Sequence, residues 1–164
     1  MLRQFVRYPF IVGAVAPSSR HLARAMADAL DLAEARTVVE LGPGTGALTE
    51  AVLSRLGPRT RYLAVERNPA FVGAWRERFP GRTIVEGSAA DLGAICASYS
   101  FESVDCIVSG LPWPSFSDWL QVRALEEIVS VLRPGGQLTT FGYHVGTCMP
   151  SGRRFVRMLP ERFT

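Results

Sequence analysis

Glu40-Leu41-Gly42-Pro43-Gly44-Thr45-Gly46 is the stretch on which the fold turns. It follows Val38-Val39 and precedes Ala47-Leu48-Thr49, so a buried strand runs through three alternate glycines into a helix. Glycines at that spacing let the backbone turn sharply and lie close to a ligand where side chains would collide. Outward from this loop, apolar β-branched runs alternate with amphipathic stretches from Thr37 onward. The pattern predicts strands at 38–41, 62–66, 83–85, 105–109 and 137–141. Helices are predicted over 47–56, from 69, over 117–132 and over 153–159, with Arg133-Pro134-Gly135-Gly136 as a stop signal. Alternation of this kind specifies an α/β fold, a central and mostly parallel sheet with helices on both faces.

At 164 residues with 48% hydrophobic composition, the chain can bury one core without staples. We divide it into an N-terminal helical segment, 1–35, and a ligand-binding domain, 36–164. Cys96, Cys106 and Cys148 lack paired ligand spacing and there are only two histidines, so no metal site is expected. No apolar run nears the roughly 20 residues that cross a bilayer, and Arg3 and Arg7 interrupt any signal-peptide core. A cytoplasmic protein is expected, with a peripheral place on the inner membrane face as an option. The net charge of +3 permits an anionic membrane surface or a phosphate-bearing partner without demanding either. Lysine is absent, which removes Schiff-base chemistry and a P-loop lysine. Leu2, Phe5 and Val6 fall on one helical face before Pro9, which predicts a short amphipathic helix that serves as an anchor on anionic lipid, folds back as a lid or packs on the sheet.

The spacing of the glycines alone does not separate a dinucleotide from other ligands. Pro43 lacks an N–H that a diphosphate would use, and Glu40 brings a carboxylate to the strand end. Both features suit a cationic ligand without phosphate, S-adenosylmethionine, whose amino group and sulfonium Glu40 would attract. A nucleotide loop and a purely structural turn remain as alternatives. Gly42, Gly44 and Gly46 would make room for the methionine and ribose portions. Glu66, twenty positions past Gly46 at the end of the second strand, would accept from the ribose hydroxyls, with Arg67 beside it. After the third strand, Ser88 and Ala89 stand where an adenine ring would lie, although Ser88 is equally a helix cap. Ser109 completes the predicted cofactor set.

Val38 to Gly46, Ala64 to Pro69 and Ser109 to Trp113 together resemble a class I S-adenosylmethionine-dependent methyltransferase over Thr37 to Phe141. The resemblance implies a Rossmann-like sheet and release of S-adenosylhomocysteine. Ser88 departs from it, since the wider class usually has aspartate there. Such sheets usually close with two further strands, for which the sequence to Thr164 leaves no room. A sheet without its final strands is therefore expected, either a shortened form or one with an edge open to another chain. Val12-Gly13-Ala14-Val15-Ala16-Pro17-Ser18-Ser19 and Ser109-Gly110-Leu111-Pro112 resemble the bacterial phospholipid N-methyltransferases. That resemblance implies methylation of phosphatidylethanolamine and its methylated intermediates toward phosphatidylcholine.

Ser109-Gly110-Leu111-Pro112-Trp113 should sit at the carboxyl edge of the sheet, where a nucleophile meets the methyl group. Leu111, Pro112 and Trp113 are read as acceptor contacts, the Trp113 ring face holding a methylated ammonium or stacking on a base. Tyr143 or His144, after the fifth strand, would take the amine proton. Tyr8 is placed on the acceptor side, and Arg153 and Arg154 would grip its phosphate. The loop chemistry also permits an adenine N-methyltransferase acting on RNA, and a non-catalytic S-adenosylmethionine-binding domain is a third reading. Against nucleic acid stands the lack of a basic stripe interleaved with aromatics.

Overall fold

The computed structural model describes residues 5–7, 11–12, 20–143 and 149–163, and among these the elements follow the α/β alternation. In chain order they are β1 (Phe5–Arg7), β2 (Ile11–Val12), α1 (Arg20–Asp28), β3 (Thr37–Leu41) and α2 (Ala47–Leu53). Next come β4 (Arg61–Glu66), α3 (Pro69–Arg78), β5 (Ile84–Glu86), α4 (Leu92–Ser98) and β6 (Val104–Ser109). Last are α5 (Asp118–Val131), β7 (Leu132–Thr140), β8 (Gly142–Tyr143) and α6 (Pro150–Arg162), with 3-10 turns at Ala89–Asp91 and Trp113–Ser115. Six strands lie in the order β1-β7-β6-β3-β4-β5, every pair parallel. The strand order reverses between β3 and β6, and a crevice opens there above the carboxyl ends of the strands.

Both faces of the sheet are covered, which is why β3 and β6 read as nearly unbroken apolar runs. Alternation along β3 sends Val38 and Glu40 to one face, and Val39 and Leu41 to the other. The first face packs on α1, α2 and α3 through Leu22, Met26, Leu48, Val52, Val72 and Trp75. The second packs on α4, α5 and α6 through Leu92, Leu125, Ile128, Phe155 and Leu159. Helix starts follow local chemistry. Asn68 accepts from the Ala70 N–H at 3.0 Å ahead of Pro69, and Ser117 accepts from the Leu120 N–H at 3.3 Å.

The structure departs from expectation at the edges. Phe5–Arg7 is a strand and not part of a helix; it pairs with β7, Phe5 opposite Gln137 and Arg7 opposite Thr139. An isolated helix of so few residues has little stability of its own, whereas the unpaired edge of β7 offers a row of hydrogen bonds. The edge beyond β7, open to another chain in one of the two expectations, is thus taken by the N-terminal strand of the same chain. β7 also begins earlier than predicted: Leu132 pairs with Val104, pairing resumes with Gln137 opposite Cys106, and Arg133 to Gly136 bulge out between. α6 begins three residues early because Pro150 suits the first helical turn. Among the described residues, no helix is long and apolar enough to cross a membrane.

Candidate active site

A cavity of about 360 Å³ lies over the carboxyl ends of β3, β4, β5 and β6. Gly42 and Gly44 form one wall, and Val65, Glu66, Arg67 and Phe71 a second. Gly87, Ser88 and Ala89 close the far end, while Gly110, Leu111, Pro112, Phe116 and Leu120 face them. Eight residues predicted from sequence, Gly42, Gly44, Glu66, Arg67, Ser88, Ala89, Leu111 and Pro112, are therefore brought together. Glu66 is buried, its Oε2 accepting from the Gly44 N–H at 3.1 Å and its Oε1 from the Asn68 N–H at 2.8 Å. Each carboxylate oxygen keeps a lone pair for a further donor. A Cβ built on Gly44, where φ is +55°, would meet nothing within 4 Å, so that part of the loop stands open to the cleft.

The loop after β6 meets the glycine loop backbone to backbone. The Gly110 N–H donates to the Leu41 carbonyl at 2.8 Å, and a Cβ at Gly110 would stand 2.7 Å from the Gly42 carbonyl oxygen. Any side chain at Gly110 would push the two loops apart. Behind the loop, Gln121 donates through Nε2 to the Trp113 carbonyl at 2.8 Å and to the Ser151 carbonyl at 3.2 Å. The Ser151 hydroxyl donates to the Pro114 carbonyl at 2.7 Å, which ties the loop to α6.

Comparison with known proteins agrees with this arrangement. Residues 38–136 match the family described as "Methyltransferase domain". An ornithine lipid N-methyltransferase of Singulisphaera acidiphila is 34% identical over 185 aligned positions, covering 99% of this chain and 96% of that protein. The chain belongs to the S-adenosylmethionine-dependent methyltransferases. Among solved structures of the same fold, an O-methyltransferase from Bacillus cereus in complex with SAH superposes with a TM-score of 0.70 at 16% identity, over 90% of this chain and 71% of that one. The SAM-bound amino pentose methyltransferase CalS10 of Micromonospora echinaspora superposes at 0.60 with 24% identity, over 91% and 55%. A ribosomal RNA small subunit methyltransferase A of Hydrogenobaculum is 28% identical over 122 residues, which cover 70% of this chain and 45% of that protein.

S-adenosylmethionine is the methyl donor of this methyltransferase, and the cleft suits it: an open Gly44, an anchored carboxylate with free lone pairs, and otherwise mostly apolar walls. When bound, it supplies a methyl group whose bonding pair returns to sulfur as the acceptor's lone pair forms the new bond. The protein's part is to orient the acceptor and exclude water.

Several predicted residues lie elsewhere. Glu40 is fully buried on the α1–α3 face, its Oε1 accepting from the Thr49 hydroxyl at 3.0 Å and its Oε2 from the Tyr62 hydroxyl. Burial raises its pKa to about 7 against the pull of these two donors. Its carboxylate is a structural anchor behind the loop and does not line the cleft, because strand alternation points it through the sheet. Gly46 likewise does not line the cleft; its hydrogen side faces Phe79. Ser109 is fully buried and absent from the lining, and its hydroxyl has no hydrogen-bond partner among the described residues. Ser88 spends its hydroxyl on the Ala90 N–H at 3.1 Å, the capping role.

Trp113, expected to touch the acceptor, does not line the cleft. It is fully buried, stacked on Phe155 at 4.4 Å with 15° between planes, and its Nε1 donates to the Thr140 hydroxyl at 2.9 Å. No ring face is left for an ammonium or a base. Arg154 pairs with Asp118, and neither it nor the exposed Arg153 lines the cleft. Tyr8, His144 and the Tyr143 side chain lie outside the described residues; the Tyr143 backbone pairs with Val12. Missed by sequence reasoning were Phe71, Phe116 and Leu120, which line the cleft from helices and turns that follow strand ends. Their one sequence signal is position, within a turn or two of Glu66 or Pro112.

Proposed function

We propose that this methyltransferase transfers methyl groups to an amine carried on a membrane lipid, either phosphatidylethanolamine and its partly methylated products or an ornithine lipid. The observation that carries the reading is the near end-to-end relation to an ornithine lipid N-methyltransferase. Leu111, Pro112, Phe116 and Leu120 support it, as they give the acceptor side of the cleft apolar walls suited to the stem of a lipid headgroup. Arg154 is engaged by Asp118, which weakens the case for a dedicated phosphate grip and leaves the amine as the recognised group. Backbone carbonyls of the Gly110-Leu111-Pro112 loop orient that amine, and Tyr143 or His144, following β7, receive its proton.

Access from an anionic bilayer fits the outer surface. Trp119, 70% exposed, directly precedes the cleft residue Leu120, and Met149, Arg153 and Arg157 are exposed just before and within α6, next to α5 through the Arg154–Asp118 pair. The test offers methyl-labelled S-adenosylmethionine with vesicles containing phosphatidylethanolamine, vesicles containing ornithine lipid, and adenine-containing RNA. Label in a lipid amine is expected, with co-sedimentation of the protein on phosphatidylglycerol-containing vesicles. Label in RNA, or in no lipid while S-adenosylhomocysteine still binds, would overturn the reading.

A further inference from the structure

Gly42, Gly44 and Gly46 share a sequence pattern but not an environment. A Cβ at Gly42 would touch Leu111 Cδ2 at 3.0 Å, and one at Gly44 would touch nothing, but one at Gly46 would lie 2.3 Å from Cε2 of Phe79. The third glycine is therefore held to glycine by its φ of +87° and by an aromatic ring outside the cleft, whose lining does not include it. Phe79 caps the end of α3, its N–H bonded to the Trp75 carbonyl, and packs on the Trp75 ring at 5.0 Å. The neighbouring Arg78 donates from Nη1 to the Thr45 carbonyl at 2.6 Å, and its Nη2 pairs with Glu50 in the first turn of α2. One guanidinium thus spans the loop and the helix that follows it. The opposite end of α3 supplies the Asn68 N–H that holds Glu66.

We propose that Arg78 and Phe79 are positioning residues for cofactor binding: they clamp Thr45 and Gly46 from outside the cleft and hold the glycine loop in its binding form before the ligand arrives. The loop needs such a clamp because Gly42, Gly44 and Gly46 all have positive φ, and glycine backbones lose the most freedom on ordering. A loop ordered in advance spares that loss at the moment of binding, so the clamp acts on affinity for the cofactor. Through Asn68 and Arg78, α3 braces the Glu66 carboxylate and the loop together.

Calorimetric titration with S-adenosylhomocysteine tests this without any acceptor, so its outcome is independent of which amine is methylated. Phe79→Ala should raise Kd about 10–30-fold and Arg78→Ala about 3–10-fold, with Arg78→Lys between wild type and Arg78→Ala because an ammonium can still reach one carbonyl. Melting temperature and circular dichroism identify folded variants. Should Phe79→Ala fail to fold, Phe79→Leu and the partly exposed Arg78 variants carry the test. Gly46→Ala should cost much of the affinity in the wild-type background and clearly less beside Phe79→Ala, since the ring it meets is gone. Folded Arg78→Ala and Phe79→Leu proteins that bind S-adenosylhomocysteine within twofold of wild type would overturn the proposal. Fully additive losses for Gly46→Ala and Phe79→Ala would do so as well.

Discussion

Two tryptophans are fully buried, one on each side of the sheet, and each gives its indole N–H to a threonine hydroxyl at 2.9 Å. Behind the glycine loop, Trp75 donates to the Thr49 hydroxyl, which in turn donates a hydrogen bond to Glu40, where Tyr62 also donates. Under the loop that follows β6, Trp113 donates to Thr140, and the support comes instead from ring stacking on Phe155 and from Gln121 holding the Trp113 carbonyl. The cofactor half therefore rests on a buried polar network containing an ionisable group. The half around the loop after β6 rests on aromatic packing and captured carbonyls. The two halves should fail differently, the first with pH and the second with loss of volume.

The largest effect should come from the packed side. Trp113→Ala removes a fully buried ring and is expected to cost about 3–5 kcal/mol in urea unfolding. A loss under about 1 kcal/mol would mean the ring is not what supports the loop.

The next effect belongs to the polar side. Burial raises the Glu40 pKa from an ordinary 4.5 to about 7, so between those values the folded chain holds a proton that the unfolded chain has released. Stability should therefore fall as pH rises from about 4.5 to about 7 and level off above, by at most about 3 kcal/mol. Unfolding free energies across that range, compared with Glu40→Gln, check the sign. Equal slopes in the two proteins would remove Glu40 as the source. A smaller effect is expected at Ser88→Ala, about 1 kcal/mol, for the lost cap on the Ala90 N–H. If instead it impairs S-adenosylhomocysteine binding without changing stability, Ser88 is an adenine contact after all.

Much of this architecture is readable in the sequence because strands buried on both faces are mostly apolar and ligands gather at strand ends. Gly42, Gly44, Glu66 and Ser88 were legible for that reason. The same double burial hid which face Glu40 takes: Val38-Val39-Glu40-Leu41 has no alternation of polar and apolar residues to mark the two sides. Trp113 looked like a ligand contact because nothing near it announces Phe155, 42 positions further on. β1 was illegible as a strand because its three residues gain their partners only from β7.

Glu66, held by the Gly44 and Asn68 N–H groups at the edge of the cleft, is the carboxylate proposed to receive the cofactor. Titration of S-adenosylhomocysteine into wild-type protein and Glu66→Gln tests it most directly. Saturable one-to-one binding is predicted for the wild type, weakened about 10–100-fold in the variant by loss of charge-assisted hydrogen bonds. Equal affinity in both proteins, or uptake of NAD with none of S-adenosylhomocysteine, would contradict it.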